Sequence, residues 1–339
     1  MESNKKTLVT PSERKAKIKK FLSKNGVPVL FMLPYILIFI VFFIYPFFYG
    51  IYISFYKWNI FIPEKTEFVG LANYITILFG DVEGALPGAE TIHKYFVIGL
   101  KNTCLFVLIS VPLLIIIPLI LALLLDIEPK GYKFFRTLLF LPTVLSVSAV
   151  CIIWKWQFDT NLGFVNGILN VFGIEDVAWL QESGGAWFVI ILTTLWWTLG
   201  TNMVILGAGL KDVDKSLYEA AEMDGANYIQ SLFHIALPGI KNQLFLCTIT
   251  TIIASFNVYG QVDILTGGGP GTSTSVLMMY IRRYAFGANA QPGLAAAMSI
   301  ILGVIIILIG VIQNIVTSRE DKGGMEHGVK KGRKAKKTY

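Results

Sequence analysis

The sequence predicts an all-α polytopic membrane protein with about six transmembrane helices, and three observations carry that expectation. Hydrophobic residues make up 54% of the 339 and charged residues only 15%, with a mean hydropathy of +0.63. A soluble domain carries about 25% charged residues, so a globular cytosolic enzyme and a disordered chain are both excluded. The remaining charge is segregated: eight Lys/Arg lie in residues 1–24 and eight in 319–339, leaving thirteen bases against seventeen acids between them. Finally, six uncharged, mostly apolar stretches come close to or exceed the roughly 20 residues a helix needs to cross hydrocarbon.

Taken in order, the first stretch, 29–55, is too long for the apolar region of a cleavable signal and has no small-residue cleavage site before Lys57, so it stays as a span. The second is 103–125. The third, 138–154, is the shortest and contains Pro142, Ser146 and Ser148. The fourth, fifth and sixth are 187–210, 244–261 and 294–316, whereas the run 275–280 is too short to cross. The domain division is therefore a basic N-terminal tail (1–24), a six-span domain (25–318) and a basic C-terminal tail (319–339). The bases of both tails, with Lys130, Lys133 and Arg136 in the loop 126–136, put these segments in the cytoplasm. Loops 57–94 (five acids, three bases) and 155–186 (four acids, one base) face outside. Arg282 and Arg283 run against this assignment. A basic tail on an acidic body gives no support for nucleic-acid binding.

Chemistry is sparse. The dipeptide Gly-Lys is absent, so no phosphate-cradling loop can form. His93, His234 and His327 are far apart, and Cys104, Cys151 and Cys247 lack metal spacing and read as small core residues. No Gly-x-Ser-x-Gly elbow occurs. No cofactor, metal or catalytic residue is expected. No span holds a central Asp or Glu of the kind that ion-coupled carriers use. The Gly-rich run at 267–271 reads as a tight turn after the fifth span.

The informative stretch is the fourth inter-span loop, 211–243. Asp212 or Asp214 can cap a helix in which Leu217, Ala220 and Ala221 form a thin apolar face, and Gly225 supplies the left-handed residue that ends it. A second short helix starts near Asn227, and Pro238 punctuates the return to the fifth span. Glu219, Glu222 and Asp224 flank the apolar face. Helices that lie on anionic lipid are basic, so a groove on a partner protein is the better match.

The residues Glu219-Ala220-Ala221, Asp224-Gly225-Ala226 and Ile235-x-Leu237-Pro238, at this spacing before the penultimate span, resemble the EAA signature of binding-protein-dependent ABC importer permeases. The run from Leu265 to Gly271, followed by Thr272 or Thr274, Tyr280-Ile281 and Ala285-Phe286, is similar to the carbohydrate-uptake branch. Pro34, Tyr45-Pro46, Ser54-Phe55 and Trp58-Asn59 look like the first permease of maltose- and glycerol-3-phosphate-type systems. The likeness departs at 239–243, where the family often has a further proline, and in lacking a large external insertion.

The resemblance implies a subunit that catalyses nothing itself and forms half of an alternating-access path for a sugar, with an oligosaccharide favoured over other carbohydrates, in a prokaryotic plasma membrane. It implies four partners besides the bilayer: a second, homologous permease, a dimer of ATPase subunits and an external sugar-binding protein. Glu219, Ala220, Ala221, Asp224, Gly225, Ile235, Leu237 and Pro238 would couple to the ATPase. Ser255, Asn257, Tyr259 and Gln261 of the fifth span are candidate solute contacts, with Trp197 and Asn202 as weaker ones. At helical spacing Ser255 would share a face with Tyr259, and Asn257 with Gln261. The rival reading is a stand-alone secondary carrier or channel.

Overall fold

The computed structural model describes residues 28, 30–59 and 63–335; the basic segment 1–24 lies outside them. Among the described residues, four helices are long and apolar enough to cross a membrane. These are α1 (Leu30–Ile53), α3 (Ala89–Asp126), α7 (Ser183–Lys211) and the first part, Pro292–Ile315, of α13 (Pro292–Ala335). Between α1 and α3 a two-stranded ribbon, β1 (Tyr56–Lys57) and β2 (Glu67–Phe68), pairs antiparallel and leads to α2 (Ala72–Phe79). The buried Asn73 amide donates to the Ser54 and Tyr56 carbonyls and fixes this turn-round.

The third span differs from the single helix expected over 138–154. It is two helices, α4 (Tyr132–Phe140, extended by a tight turn at Leu141–Val144) and α5 (Val147–Gln157), bent by 102°. Pro142 cannot continue the α-helical ladder, and the Ser146 hydroxyl accepts from Ala149 N–H to start a new helix. The pair nevertheless runs steadily along α7. Lys211 meets Tyr132, Gly200 meets the Leu139–Phe140 backbone, Trp197 meets Leu145, Trp196 meets Trp154 and Phe188 meets Phe158. The bend is a break within one crossing. Gly200 is required there, because a Cβ would lie 2.7 Å from the Phe140 Cα and the Leu139 oxygen.

The fifth span is also broken. The helix expected over 244–261 ends at Phe256: α10 (Lys241–Phe256) is followed by α11 (Gly260–Leu265). A 68° bend separates α10 from the preceding α9 (Tyr228–Gly239), whose Gly239 packs on Val213 beyond the end of α7. Thr251 lies at Asn202, Ser255 at Ser110 and Ile264 at Lys155, so α10 and α11 together make the crossing. Counting these two broken crossings, the described residues make up to six spans. Between α5 and α7 lies α6 (Phe164–Val171), and α12 (Leu277–Phe286) packs between α3 and α13.

Three buried clusters are strung along α3, around Phe96, Phe106 and Ala122. Near the last, Pro118 has no N–H for the Leu114 carbonyl. The buried Asn202 amide of α7 donates to that carbonyl at 2.8 Å and to Thr251 Oγ1 of α10 at 3.0 Å. One side chain thus ties three spans at a proline gap. Many remaining side chains, including those of α1, face outward and are apolar, as lipid contact requires.

Asn202→Ala is expected to lower the stability of the detergent-solubilised protein by about 1–2 kcal/mol. In Pro118→Ala/Asn202→Ala the restored backbone N–H serves Leu114, so most of the loss should be recovered. Thermal unfolding of the four proteins of the cycle measures both.

Candidate functional site

Two regions hold the residues singled out in the sequence. The first is the hairpin of α8 (Lys215–Met223) and α9. Asp214 is the cap: its Oδ1 accepts the Ser216 N–H at 2.9 Å. The amide and hydroxyl of Ser216 hold its carboxyl below the ordinary carboxylate range. The cap is therefore present at neutral pH and is lost only as the pH falls below that range. At the other end Ala226 N–H bonds the Ala221 carbonyl and Gly225 N–H that of Glu222, which closes the helix through Gly225 at φ +78°. The next residue, Asn227, caps α9 reciprocally with Gln230 at 2.9 and 2.8 Å.

Every turn of this hairpin is thus specified locally. It is anchored by Tyr218, Ala236 and Leu237, which pack with Leu206 and Leu210 of α7. Burial raises the Tyr218 phenol, and the Asp126 carboxylate adds to the effect. Ile235 is half-buried, and Pro238 is exposed within the last turn of α9 instead of ending it earlier. The opposite face is bare. Leu217, Tyr228, Ile229 and Phe233 are more than half exposed and Met223 is 89% exposed, beside Glu219, Ala220, Glu222 and Asp224. A cleft of about 930 Å³ opens between the hairpin and the end of α3, with Glu219 and Glu222 facing Asp126 and Lys211. No atom lies within 4 Å of a Cβ added at Gly225.

The second region is at mid-depth. Trp197 lies near the middle of α7, and its indole donates to the Leu145 carbonyl at the break in the third span. Gly260, at the break in the fifth, packs against Val147. The two interruptions are therefore neighbours. The Asn257 amide donates to the Ile253 carbonyl at 2.7 Å, taking over from its own N–H, which turns to Ala254. Asn257 is exposed, and Tyr259 and Gln261 are half-buried. Ser255 is buried against Ser110 at 3.4 Å. The expected sharing of faces at helical spacing fails here, because the helix stops between Ser255 and Tyr259. Tyr259 instead donates its hydroxyl to Asp263 at 2.8 Å, with the Arg282 guanidinium 5.4 Å from its ring centroid.

Trp197 and Asn202, both considered as solute contacts, are occupied with backbone carbonyls. The contribution of the third span to this region was not foreseen; Pro142 followed by Ser146 was the available signal. The Gly-rich segment is a turn, as expected, and the residues that follow it are braced against two spans. Asn102 of α3 donates to the Thr272 and Ser275 carbonyls, and Trp187 of α7 to that of Ser273.

Comparison with known proteins agrees with this arrangement. Residues 96–322 match the family described as binding-protein-dependent transport system inner membrane component. The chain is 31% identical to a probable ABC transporter permease protein, YurN, of Bacillus subtilis over 291 residues, covering 85% of this chain and 94% of that one. It is 31% identical over 306 residues to the arabinooligosaccharides transport system permease protein AraP of Halalkalibacterium halodurans, covering 89% and 91%. A crystal structure of a bacterial ABC transporter involved in import of the acidic polysaccharide alginate superposes with a TM-score of 0.76 at 22% identity, over 89% of this chain and 99% of that one.

With Gly225 held at positive φ over open space, Gly225→Val should cost about 1–2 kcal/mol locally, while Gly225→Asn should be tolerated. Hydrogen exchange of residues 211–243 is the measurement: faster exchange in the valine variant alone is the expected result.

Proposed function

The chain belongs to the family of inner membrane components of binding-protein-dependent transport systems, and from that premise we propose that it is one of two permease subunits of an ATP-driven carbohydrate importer. The carrying observation is the α8–α9 hairpin, which is rigidly capped, anchored on α7 and α10, and bare on the face that bears acids among apolar side chains. Such a face fits a groove on a separate ATPase subunit. ATP-driven movement of that subunit would push α8 into α7 and α9 into α10. The Asn202 contacts make α3, α7 and α10 move together, leaving the breaks at 145–146 and 257–259 as the places that bend.

The solute path runs past those breaks. Discontinuous helices at membrane depth are tolerated where they are covered by protein or line a cavity, and Asn257, Tyr259 and Gln261 offer an amide oxygen, an aromatic ring and a full amide to sugar hydroxyls and ring faces. Ser255 supports the inner side of the break. An oligosaccharide is favoured as cargo, with AraP as the relative whose name points that way. An external binding protein delivers it, a second permease supplies the other half of the path, and both termini lie in the cytoplasm. A stand-alone carrier or channel is the rival, and it gives the exposed hairpin face no occupant.

Purification from gently solubilised native membranes tests the reading: a second permease and a Walker-type ATPase should accompany the chain, whereas its isolation alone would favour the rival. In the assembled transporter, Gly225→Asp should abolish uptake while the protein still inserts. Tyr259→Ala should change the affinity or rate of uptake by several-fold with assembly intact; unchanged kinetics would remove Tyr259 from the path.

A further inference from the structure

We infer that Asp263 and Arg282 complete the solute site at the break in the fifth span and fit it to the hydroxyl groups of an uncharged sugar. The inference rests on the carbohydrate reading above and adds to it two residues and a cargo class. Both side chains hold the ring of Tyr259. Asp263 of α11 accepts its hydroxyl at 2.8 Å, and the Arg282 guanidinium of α12 lies over the ring, 5.4 Å from the centroid. Yet among the described residues the two opposite charges do not pair with each other, and Arg282 has neither a hydrogen-bond nor an ion-pair partner. A tie between α11 and α12 would be stronger as a direct Arg–carboxylate contact than as an exposed stack on a ring. A base on the outward side also opposes the charge bias of topology, so the place of Arg282 calls for another cause.

The spacing of the two charges is fixed. α11 and α12 are joined through the Gly-rich segment, where Thr274 and Ser275 bond back to the Gly269 and Gly268 carbonyls and Asn102 and Trp187 hold the carbonyls that follow. Ring, acid and base are therefore a preorganised set. Arg282 is exposed and Asp263 half-buried. Together they offer a planar fork of donors and a carboxylate oxygen that Tyr259 does not use. A sugar hydroxyl both donates and accepts, so two neighbouring hydroxyls can bridge acid and base while the apolar side of the sugar meets the aromatic ring.

The neighbouring charges set the class of cargo. Lys155, the base that α5 places against α11, donates to the Ile264 carbonyl at 3.1 Å, and the Arg283 guanidinium lies over Tyr280. Asp159, beyond the end of α5, turns its carboxylate to the Asn161 and Leu162 amides. What remains at Tyr259 is one acid and one base, a balanced pair with no excess to draw a charged solute. A uronate would bring a second carboxylate up to Asp263, at a cost in repulsion that a neutral sugar does not meet.

The test uses the assembled transporter. Cells carrying it are first offered arabinotetraose, xylotetraose and maltotetraose; uptake of none of them refutes the carbohydrate reading, and this inference with it. The tetrasaccharide taken up fastest is then measured by equilibrium dialysis on the purified transporter in lipid nanodiscs, without its external binding protein, so that retained sugar reports the membrane subunits alone. Arg282→Gln and Asp263→Asn should each weaken binding by on the order of ten-fold with an unaltered thermal midpoint. They should do so again in the Tyr259→Ala background, where a group that only held the ring has nothing left to hold. If Arg282→Gln does not assemble, Arg282→Lys serves: it keeps the charge, loses the planar fork and should weaken binding several-fold. Absence of binding by a wild type that transports the sugar, unchanged affinity in an assembled variant, or an effect that vanishes with Tyr259 overturns the assignment. Tighter binding of tetragalacturonate than of the neutral sugar overturns the uncharged class.

Discussion

A backbone carbonyl inside hydrocarbon has no water to turn to, and most of the architecture follows from that. Two of the spans are interrupted, and Pro112 and Pro118 gap the ladder of the longest. At Pro118 and at the two interruptions a side chain from another helix or from the break itself supplies the missing partner: Asn202 for Leu114, Trp197 for Leu145, Asn257 for Ile253. Asn202 and Trp197 are polar groups inserted between helices, and they fix which helices are neighbours, because each donor reaches its carbonyl only in one register; Asn257 closes the end of its own helix. The order of contacts along α7, from Lys211 at Tyr132 to Phe188 at Phe158, is the trace of that matching.

The same economy governs the two ends of the bundle. On one side the Gly-rich turn is held by Asn102 and Trp187, so the link from α11 to α12 is part of the packed body. On the other, the hairpin is held by its own caps and by a few apolar anchors, and its outward face is left free. A rigid element with a bare face transmits force; a turn pinned to two spans resists it. The breaks at mid-depth lie between these two ends, where α7 runs continuously past both interruptions.

Much of this was legible in the sequence. Long uncharged runs specify spans because a 3.6-residue helix is the only open chain that satisfies its own backbone in lipid, and the caps at Asp214, Gly225 and Asn227 use nearest-neighbour chemistry that is visible in order. What escaped were interruptions within apolar runs. Nothing in hydropathy distinguishes 138–154 or 244–261 from an unbroken helix, since the residues that bend them are themselves apolar or small. The roles of Trp197 and Asn202 were equally hidden: a polar residue in a span looks the same whether it serves a solute or a carbonyl, and the choice depends on prolines and breaks in other helices. Ser255 illustrates the converse, its partner Ser110 lying 145 residues away.

None of the residues of α1 is buried, although the helix is 24 residues long and meets the start of α13. Within this chain, little apolar contact fixes its tilt or rotation. On the proposed reading, a subunit made without its second permease would therefore display a loosely held hydrophobic helix to the quality-control proteases of the membrane. Its lifetime would then be set by the rate at which the counterpart is synthesised, so that the stoichiometry of the assembly is enforced by degradation of whichever subunit is in excess.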